Sequence, residues 1–309
     1  MTLFKLQGKK LLKIRDKPID LEKDIQKVTE DNLNEIFGLK FIHTEFPIQN
    51  FRLDTVAFDD ETKSFVIIEY KKEKNISVVD QALAYLSVML NNKAEFILLY
   101  QEKTGINLKR EEVDWSQSRI ILIADSFTNY QENAIGFKDL PIELYEAKLY
   151  EDSLIFYNSL KSNLKRVATL KSIKQTKDVE DTLREIKEYT LEDHFKEDWK
   201  LSKRIFDKLK EETDSIDIIN EKITKFYLAY SKEESNRSFF EIVAQKQGLK
   251  VYLRPMKDEL RSPHLHLYDC SKMGHWTNGN TYFVIDKIED VPYALDLIKQ
   301  TYDLVYPEM

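Results

Sequence analysis

Three residues on two neighbouring apolar segments carry side chains that could bind a divalent cation and act on a phosphate group. Asp54 lies within FRLDTVAFD, and Glu69 and Lys71 close the segment SFVIIEYKK. Alternation along a β-strand would place Glu69 and Lys71 on the same face. Two carboxylates beside open coordination positions suit Mg²⁺, or Mn²⁺ in its place, because these ions prefer oxygen ligands and Mg²⁺ keeps several waters. Lys71 could then orient an attacking water or offset the charge that develops on the phosphate.

A Glu-x-Lys pattern is a weak signal by itself, because an acid and a lysine at the end of an apolar strand often only mark its exit into solvent. The polar segment DDETKS, between the two apolar segments, predicts a hairpin turn. A hairpin would bring Asp54 and Glu69 onto adjacent antiparallel strands. Their carboxylates could then converge on one ion.

The elements around this hairpin predict a mixed α/β sheet flanked by helices. A first helix is predicted from Asp20 to Gly38, where apolar residues recur at helical spacing between a capping aspartate and a terminating glycine. A second helix is predicted from Ser77 to about Asn91. Strands are predicted at 41–48, 51–58, 65–71, 95–100 and 118–124, with 142–150 as an edge strand.

The remainder of the chain predicts a connector and a second domain. Residues 1–157 form the first predicted domain, and a Lys- and Glu-rich stretch at 158–200 is predicted to be a charged helical connector. Residues 201–309 recover strand patterns at 225–230, 239–245 and 249–255 and end in an amphipathic helix at 291–302. This pattern predicts a small α+β domain.

Composition restricts the classes of protein that this chain can belong to. With 309 residues and 42% hydrophobic content, it is long enough for two domains with separate cores. The only cysteine, Cys270, excludes an internal disulfide framework and favours the cytoplasm. No segment has the apolar length of a membrane span or a signal peptide, so no membrane partner is expected. The net charge of −7 argues against a protein that coats nucleic acid with its whole surface.

The order of the acidic residues and the lysine resembles the PD-(D/E)XK nuclease superfamily, which has an acid on the first helix, an Asp on one strand and D/E-x-K on the next. Here these positions are Glu22, Asp54 and Glu69-Tyr70-Lys71. The segments R-L-D-T, I-I-E-Y-K and D-Q-A-L-A-Y are similar to the branch related to archaeal mismatch and single-strand nucleases, over about residues 15–150. The resemblance implies a restriction-endonuclease-like fold and a metal-dependent nuclease that acts on nucleic acid, with DNA the expected substrate.

The same resemblance implies roles for particular residues. It makes Asp54 and Glu69 metal ligands, Lys71 the catalytic lysine, and Gln81 a supporting residue on the following helix. One departure is Leu53, which stands where the superfamily pattern has proline. A second departure is that no module for reading DNA sequence is evident.

Three further polar residues have alternative explanations. Gln81 and Tyr85 share a helical face, so both could approach the site. A helix that packs on a sheet needs amphipathic residues at such positions in any case. Glu22 could bind or orient the metal through water, or could simply favour the positive end of its helix dipole. Glu45 is within reach of the acids, but solvation at a strand edge is its expected role.

Two basic clusters could contact a phosphate backbone, although a solvated face is the usual role of such runs. They comprise Lys9, Lys10, Lys13 and Arg15, and Lys161, Lys165, Arg166, Lys171 and Lys174. Nothing in the sequence fixes the oligomeric state, and a homodimer remains open.

A second group of residues near the C-terminus could bind zinc. His264, His266, Cys270 and His275 are competent ligands, but their spacing fits no standard zinc site, so packing and surface roles are expected instead. The C-terminal region also resembles a small bacterial domain of unknown function that occurs alone and behind nuclease domains of this kind. That resemblance implies a boundary but no chemistry.

The alternative to an enzyme is a catalytically inactive nucleic-acid-binding or regulatory protein that retains the nuclease fold. The intact set of Asp54, Glu69 and Lys71 favours the enzyme, because a protein without catalysis has no physical need for clustered acids. The acidic net charge favours the alternative.

Overall fold

The chain forms two compact units. The second unit includes four residues that lie, in sequence, between the two segments of the first unit. In a computed structural model, the first unit comprises Met1–Asp59 and Ser64–Lys187, and the second comprises Asp60–Lys63 and Glu188–Met309. The structure describes residues 3–17, 22–71, 78–128, 131–132, 140–160, 187–216, 219–233, 235–271 and 277–307, with the backbone alone at 22 and 78–80. No helix among these residues is long and apolar enough to cross a membrane.

The first unit contains a two-stranded hairpin and a seven-stranded mixed sheet. The hairpin strands are β1 (Leu3–Gln7) and β2 (Lys10–Ile14). The sheet strands are β3 (Asp16–Lys17), β4 (Lys40–Ile48), β5 (Phe51–Asp59), β6 (Ser64–Lys71), β7 (Arg119–Ala124), β8 (Ile142–Tyr150) and β9 (Ile155–Leu160). Their order is β3-β8-β7-β6-β5-β4, and β9 also pairs with β8. The strands β4, β5 and β6 form an antiparallel meander, whereas β6, β7 and β8 are parallel.

Helices cover both faces of this sheet. They are α1 (Glu22–Asp31), α2 (Leu33–Phe37), α3 (Val78–Asn91) and α4 (Lys93–Thr104). Phe65 and Ile67 of β6 pack with α3 and α4 in one buried cluster, whereas Val66 and Ile68 pack with α1 and α2 in another. This confirms the alternation predicted for β6, which is buried on both faces because helices cover both.

The structure contradicts three predicted elements of the first unit. Residues 95–100 lie in α4 and not in a strand. The strand at 142–150 exists, but it is not an edge strand, because it pairs with β7 on one side and with β3 and β9 on the other. The helix predicted from Asp20 to Gly38 is two helices interrupted at Asn32; Gly38 ends the second in a left-handed conformation, and Asp20 lies outside the described residues.

The second unit is a six-stranded antiparallel sheet with helices. Its strands, in the order β10-β11-β12-β13-β15-β14, are β10 (Ile219–Ile223), β11 (Leu228–Lys232), β12 (Ser238–Gln245), β13 (Gly248–Leu253), β14 (Tyr268–Asp269) and β15 (Thr281–Ile285). Its helices are α5 (Leu191–His194), α6 (Lys200–Thr213) and α7 (Val291–Val305). The helices α6 and α7 pack with the strands in one apolar cluster.

The described residues of the predicted connector are its two ends. Residues 158–160 complete β9, residues 161–186 lie outside the described part of the chain, and residues 188–200 belong to the second unit.

A buried polar cluster joins the turn Asp60–Lys63 to the rest of the second unit. Oε1 of Glu61 accepts hydrogen bonds from Ser238 Oγ at 2.7 Å and from Arg254 Nη2, which is also 3.8 Å from Oε1 of Glu241. Tyr227 donates its hydroxyl hydrogen to the carbonyl oxygen of Glu61. Two buried carboxylates therefore lie around one guanidinium group.

Candidate active site

Asp54 and Glu69 lie opposite each other on the antiparallel strands β5 and β6. Thr55 pairs with Ile68, and Val56 pairs with Ile67; continuing this register by one residue pairs Asp54 with Glu69. Directly opposed residues share a face of the sheet. The predicted relation between the two acids, on adjacent strands and the same face, is confirmed.

One carboxylate oxygen of Glu69 accepts hydrogen bonds from two neighbours. Lys71 Nζ lies 2.7 Å from Oε1 of Glu69, and Gln81 Nε2 lies 3.3 Å from the same oxygen. Gln81 also donates to the hydroxyl oxygen of Tyr85 at 2.8 Å. Helix α3 therefore brings Gln81 to the strand that carries Glu69 and Lys71.

Asp54 is fixed from both sides of its strand. Its Oδ2 accepts a hydrogen bond of 3.1 Å from the backbone N–H of Tyr70. Its backbone carbonyl accepts a bond of 3.0 Å from Gln26 Nε2, which also reaches Glu30 and Thr44. Gln26 was not identified in the sequence analysis. The feature that could have indicated it is a polar residue next to Ile25 on the buried face of α1.

Burial makes both carboxyl groups weaker acids, and the charge of Asp54 adds to this effect at Glu69. Burial, reinforced by the negative charge of Asp54, raises the pKa of Glu69 to about 7. Burial also raises the pKa of Asp54, although the Tyr70 N–H and the Lys71 ammonium partly oppose this. Burial lowers the pKa of Lys71, but the hydrogen bond and charge of Glu69 outweigh burial, and the net shift is upward. Lys71 is therefore a cation at neutral pH.

The donor set fits a hard divalent cation. Oε2 of Glu69 is buried and has no hydrogen-bond partner among the residues that the structure describes. A buried carboxylate oxygen without a partner is costly, and a cation would satisfy it. Asp54 supplies the second carboxylate. The described residues contain no cluster of three or more His, Cys, Asp or Glu side chains arranged for a metal. The two acids would thus hold an ion that keeps waters, as Mg²⁺ usually does.

Other residues named in the sequence analysis contribute less to this site. Glu22 begins α1, but its side chain lies outside the described residues. Glu45 is in β4 with a positive φ of 51° and forms a 2.6 Å ion pair with Arg52. Its charge contributes weakly to the raised pKa of Asp54. The second basic cluster, from Lys161 to Lys174, lies outside the described residues.

The histidines of the second unit pack against aromatic rings. His264 stacks on Tyr293 with the ring centroids 4.0 Å apart, and His266 lies edge-on to Tyr268 at 4.5 Å. Cys270 is buried, its Sγ is 3.5 Å from the carbonyl oxygen of Gly279, and burial raises the pKa of its thiol to about 11. His275 lies outside the described residues.

Comparison with known proteins establishes one close relative. A Haemophilus influenzae protein, described as an uncharacterized protein, is 37% identical over 302 residues, which cover 97% of this chain and 99% of the relative. The chain belongs to the family of this protein. The alignment covers 97% of this chain and therefore includes residues of both units. No family model matches the sequence.

Two solved structures show weaker similarity. One is a repair endonuclease from Pyrococcus abyssi, with 20% identity and a TM-score of 0.26 over 43% of this chain and 50% of that chain. The other is a complex of EndoMS with double-stranded DNA, with 15% identity and a TM-score of 0.28 over 47% of this chain and 64% of that chain. The matched part thus spans less than two thirds of either protein. Scores this low do not establish a common fold, so the family assignment rests on the Haemophilus protein.

Proposed function

We propose that this protein is a metal-dependent nuclease that hydrolyses phosphodiester bonds in nucleic acid, with DNA as its substrate and Mg²⁺ or Mn²⁺ as its cofactor. The observation that carries the proposal is the pair of opposed acids, Asp54 and Glu69, with the buried oxygen of Glu69 that lacks a hydrogen-bond partner in the described part of the chain. Two partly or fully buried acids side by side destabilise a protein fold, which is typical of sites kept for chemistry.

The cation would supply positive charge at the phosphate and lower the pKa of a bound water. Asp54 and Glu69 would hold it, and the Tyr70 N–H would keep the Asp54 carboxylate in one orientation. Gln81 would fix Oε1 of Glu69, which leaves Oε2 for the ion. These contacts preorganise the ligands before substrate binds, which is the main contribution that a protein makes to such a site.

Lys71 would stabilise negative charge and would not remove a proton. Its pKa is raised, so the amine carries its proton at neutral pH and has no lone pair to act as a base. Its Nζ lies next to the carboxylate that would bind the metal. The ammonium is thus placed near the position where charge grows on a phosphate during hydrolysis.

The test is a cleavage assay on single-stranded, duplex and branched DNA and on RNA, with Mg²⁺, Mn²⁺ or EDTA. Wild-type protein should cut at least one DNA substrate only when a divalent ion is present. Glu69→Gln should abolish cleavage, because the amide loses the negative charge that holds the ion. Glu95→Gln, an exposed acid in the first turn of α4, is the matched control and should cut as wild type does.

The rival function is a catalytically inactive nucleic-acid-binding or regulatory protein that retains the nuclease fold, which the net charge of −7 of the whole chain favours. Binding of nucleic acid without cleavage of any substrate, in either metal, would support the rival and contradict the proposed enzyme.

A further inference from the structure

The hairpin formed by β1 and β2 is exposed except at its base. Among its ten strand residues only Ile14 is buried and Leu3 is half-buried, whereas the others lie in solvent. The two strands pair only with each other, and the following strand β3 joins the main sheet at β8. An isolated two-stranded ribbon is marginally stable in water. Contacts with another molecule would therefore stabilise this exposed ribbon.

The base of the hairpin is attached to the turn that follows β8. The backbone N–H of Arg15 donates to Oε2 of Glu151 at 3.2 Å, and the N–H of Glu151 donates to the carbonyl oxygen of Arg15 at 2.9 Å. Lys5 Nζ forms a 2.8 Å ion pair with Asp152. These contacts tie the ribbon to that turn, whereas its tip around Gly8, which has a φ of 60°, is exposed.

Large apolar side chains are exposed along the ribbon. Leu6 and Leu11 are directly opposite each other near the tip and are 68% and 63% exposed, and Phe4 on the same face is 47% exposed. Leu12, on the opposite face, is also exposed. Apolar residues are thus exposed on both faces of the ribbon, and neither face is covered by another element of the described part of the chain. Exposed apolar groups at this density mark a binding surface.

The charge of the ribbon indicates what it binds. Residues 1–15 contain five basic residues and no acidic one, in a chain with a net charge of −7. Lys9, Lys10 and Lys13 form no ion pair with any residue that the structure describes. Two copies of this ribbon would repel each other, which disfavours pairing of one ribbon with another. A polyanion is complementary to it.

We infer that residues 3–14 form an arm that enters a groove of duplex DNA, with Leu6 and Leu11 at the base pairs and Lys9, Lys10 and Lys13 at the phosphates. A two-stranded β-ribbon fits the major groove, where apolar side chains can contact the methyl groups of thymine bases. This inference rests on the proposed nuclease function and adds its substrate class, a double strand.

The topology of the sheet is compatible with one duplex reaching both the arm and the acids. The strand that follows the arm pairs with β8, which lies two strands from β6. Glu69 is level with Leu144 of β8, whereas β3 pairs with β8 five to six residues farther along, at Leu149 and Tyr150. At about 4.8 Å per strand and about 3.3 Å per residue, the base of the arm is about 20 Å from Glu69, which is less than the length of one duplex turn of about 34 Å.

Binding can be measured without cleavage by fluorescence anisotropy in EDTA, with a fluorescein-labelled duplex of about three helical turns. The double variant Leu6→Ser, Leu11→Ser should weaken duplex binding about tenfold or more, because each lost base contact is worth a factor of several. The slope of affinity against salt should stay unchanged. Leu98→Ser, at an exposed leucine of α4, is the matched control and should bind as wild type does.

The triple variant Lys9→Gln, Lys10→Gln, Lys13→Gln should reduce the slope of log affinity against log salt by about 0.9 for each lysine that contacts a phosphate. The corresponding triple arginine variant should keep the slope, which separates lost charge from damage to the ribbon. All variants should melt at the wild-type temperature, because the substituted side chains are exposed.

Several results would overturn the inference. One is that the leucine variant binds duplex DNA with an affinity within twofold of wild type. Another is that the leucine variant loses as much affinity for single-stranded DNA as for duplex DNA. A leucine variant that changes from dimer to monomer by light scattering, with duplex binding intact, would assign the arm to contact between copies. Loss of binding to phosphatidylcholine–phosphatidylglycerol vesicles alone would assign it to a membrane. The proposed nuclease fails separately: wild type would then bind duplex through the arm but cut no substrate with Mg²⁺ or Mn²⁺.

Discussion

Lys71 Nζ lies 2.7 Å from Oε1 of Glu69, two residues earlier on the same strand. The ammonium and the carboxylate are therefore held together by the backbone of β6 and do not depend on a second element to meet. Because the pair shares a face of the sheet with Asp54 of β5, a phosphate bound to a cation that the two acids hold would lie within the field of the lysine.

Lys71→Ala should lower the turnover number by about a hundredfold to a thousandfold, the usual effect of removing one stabilising donor from a charged transition state. Metal and DNA affinity should change far less, since Asp54 and Glu69 supply the ligands and the sequence keeps Lys72 and Lys74 nearby. Lys71→Arg should rescue only in part, because a planar guanidinium does not replace a compact ammonium. Single-turnover kinetics at saturating Mg²⁺ measures this. Unchanged cleavage by Lys71→Ala, beside an inactive Glu69→Ala, would contradict the role of the lysine.

A divalent ion should stabilise the wild-type fold. A ligand at a hundred times its dissociation constant adds about 2.7 kcal/mol to the free energy of unfolding. Mn²⁺ or Mg²⁺ should therefore raise the melting temperature of wild type but not of Glu69→Gln. In EDTA the Asp54→Asn variant should melt above wild type, because it removes one of two repelling acids while its amide oxygen still accepts from Tyr70. A metal-dependent shift retained in Glu69→Gln would place the ion elsewhere.

Gln81→Ala should lower cleavage by about tenfold, less than Lys71→Ala, because Gln81 orients a ligand and carries no charge. The contact at issue is its 3.3 Å hydrogen bond to Oε1 of Glu69. The concentration of metal needed for half-maximal rate should rise, whereas the melting temperature should stay close to wild type. Asn91→Ala, an exposed position at the end of the same helix, provides the control. An equal effect of both variants would reduce Gln81 to a packing role.

Glu241 should make the second unit less stable as the pH rises. Burial, reinforced by the charge of Glu61, raises the pKa of Glu241 from 4.5 to about 7. The folded state therefore holds this proton more tightly than the unfolded state. Its contribution to the free energy of unfolding is greatest below pH 4.5, falls between pH 4.5 and about 7, and levels off above that.

Glu241→Gln should flatten this part of the pH profile and stabilise the protein at pH 8 relative to wild type. Urea unfolding of both proteins across pH 5 to about 8 measures the difference, and the subtraction removes the contribution of Glu69. Glu197→Gln, an exposed acid, should leave the profile unchanged. Parallel profiles for wild type and Glu241→Gln would contradict the raised pKa.

The sequence was sufficient to predict the hairpin that carries the acids. The strands predicted at 41–48, 51–58 and 65–71 correspond to β4, β5 and β6, because each combines β-branched and aromatic residues with a polar turn. The face shared by Asp54 and Glu69 follows from alternation alone. Gln26 could not be found in this way, since its contact with the carbonyl oxygen of Asp54 depends on how α1 packs on the sheet.

The segment 95–100 shows where a short apolar run misleads. The five consecutive apolar residues at 96–100 fit a buried strand or a buried helix equally well. The flanking residues of α4, KA before and QEKT after, are helix formers, and Gly105 ends the helix in a left-handed conformation. Phe96, Leu99 and Tyr100 are buried whereas Leu98 is exposed, which is a helical spacing that only a window longer than the run reveals.

The turn Asp60–Lys63 means that neither unit is a continuous stretch of the chain. A polypeptide that began at Glu188 would keep Ser238, Glu241 and Arg254 but would lack Glu61, so one carboxylate of the buried cluster would be lost. A gene fragment that encodes the whole second unit must therefore begin at or before Asp60, and it then also encodes residues 64–187 of the first unit. Such a fragment always includes β6, the strand that carries Glu69, so inheritance of the complete C-terminal unit requires inheritance of this acid as well.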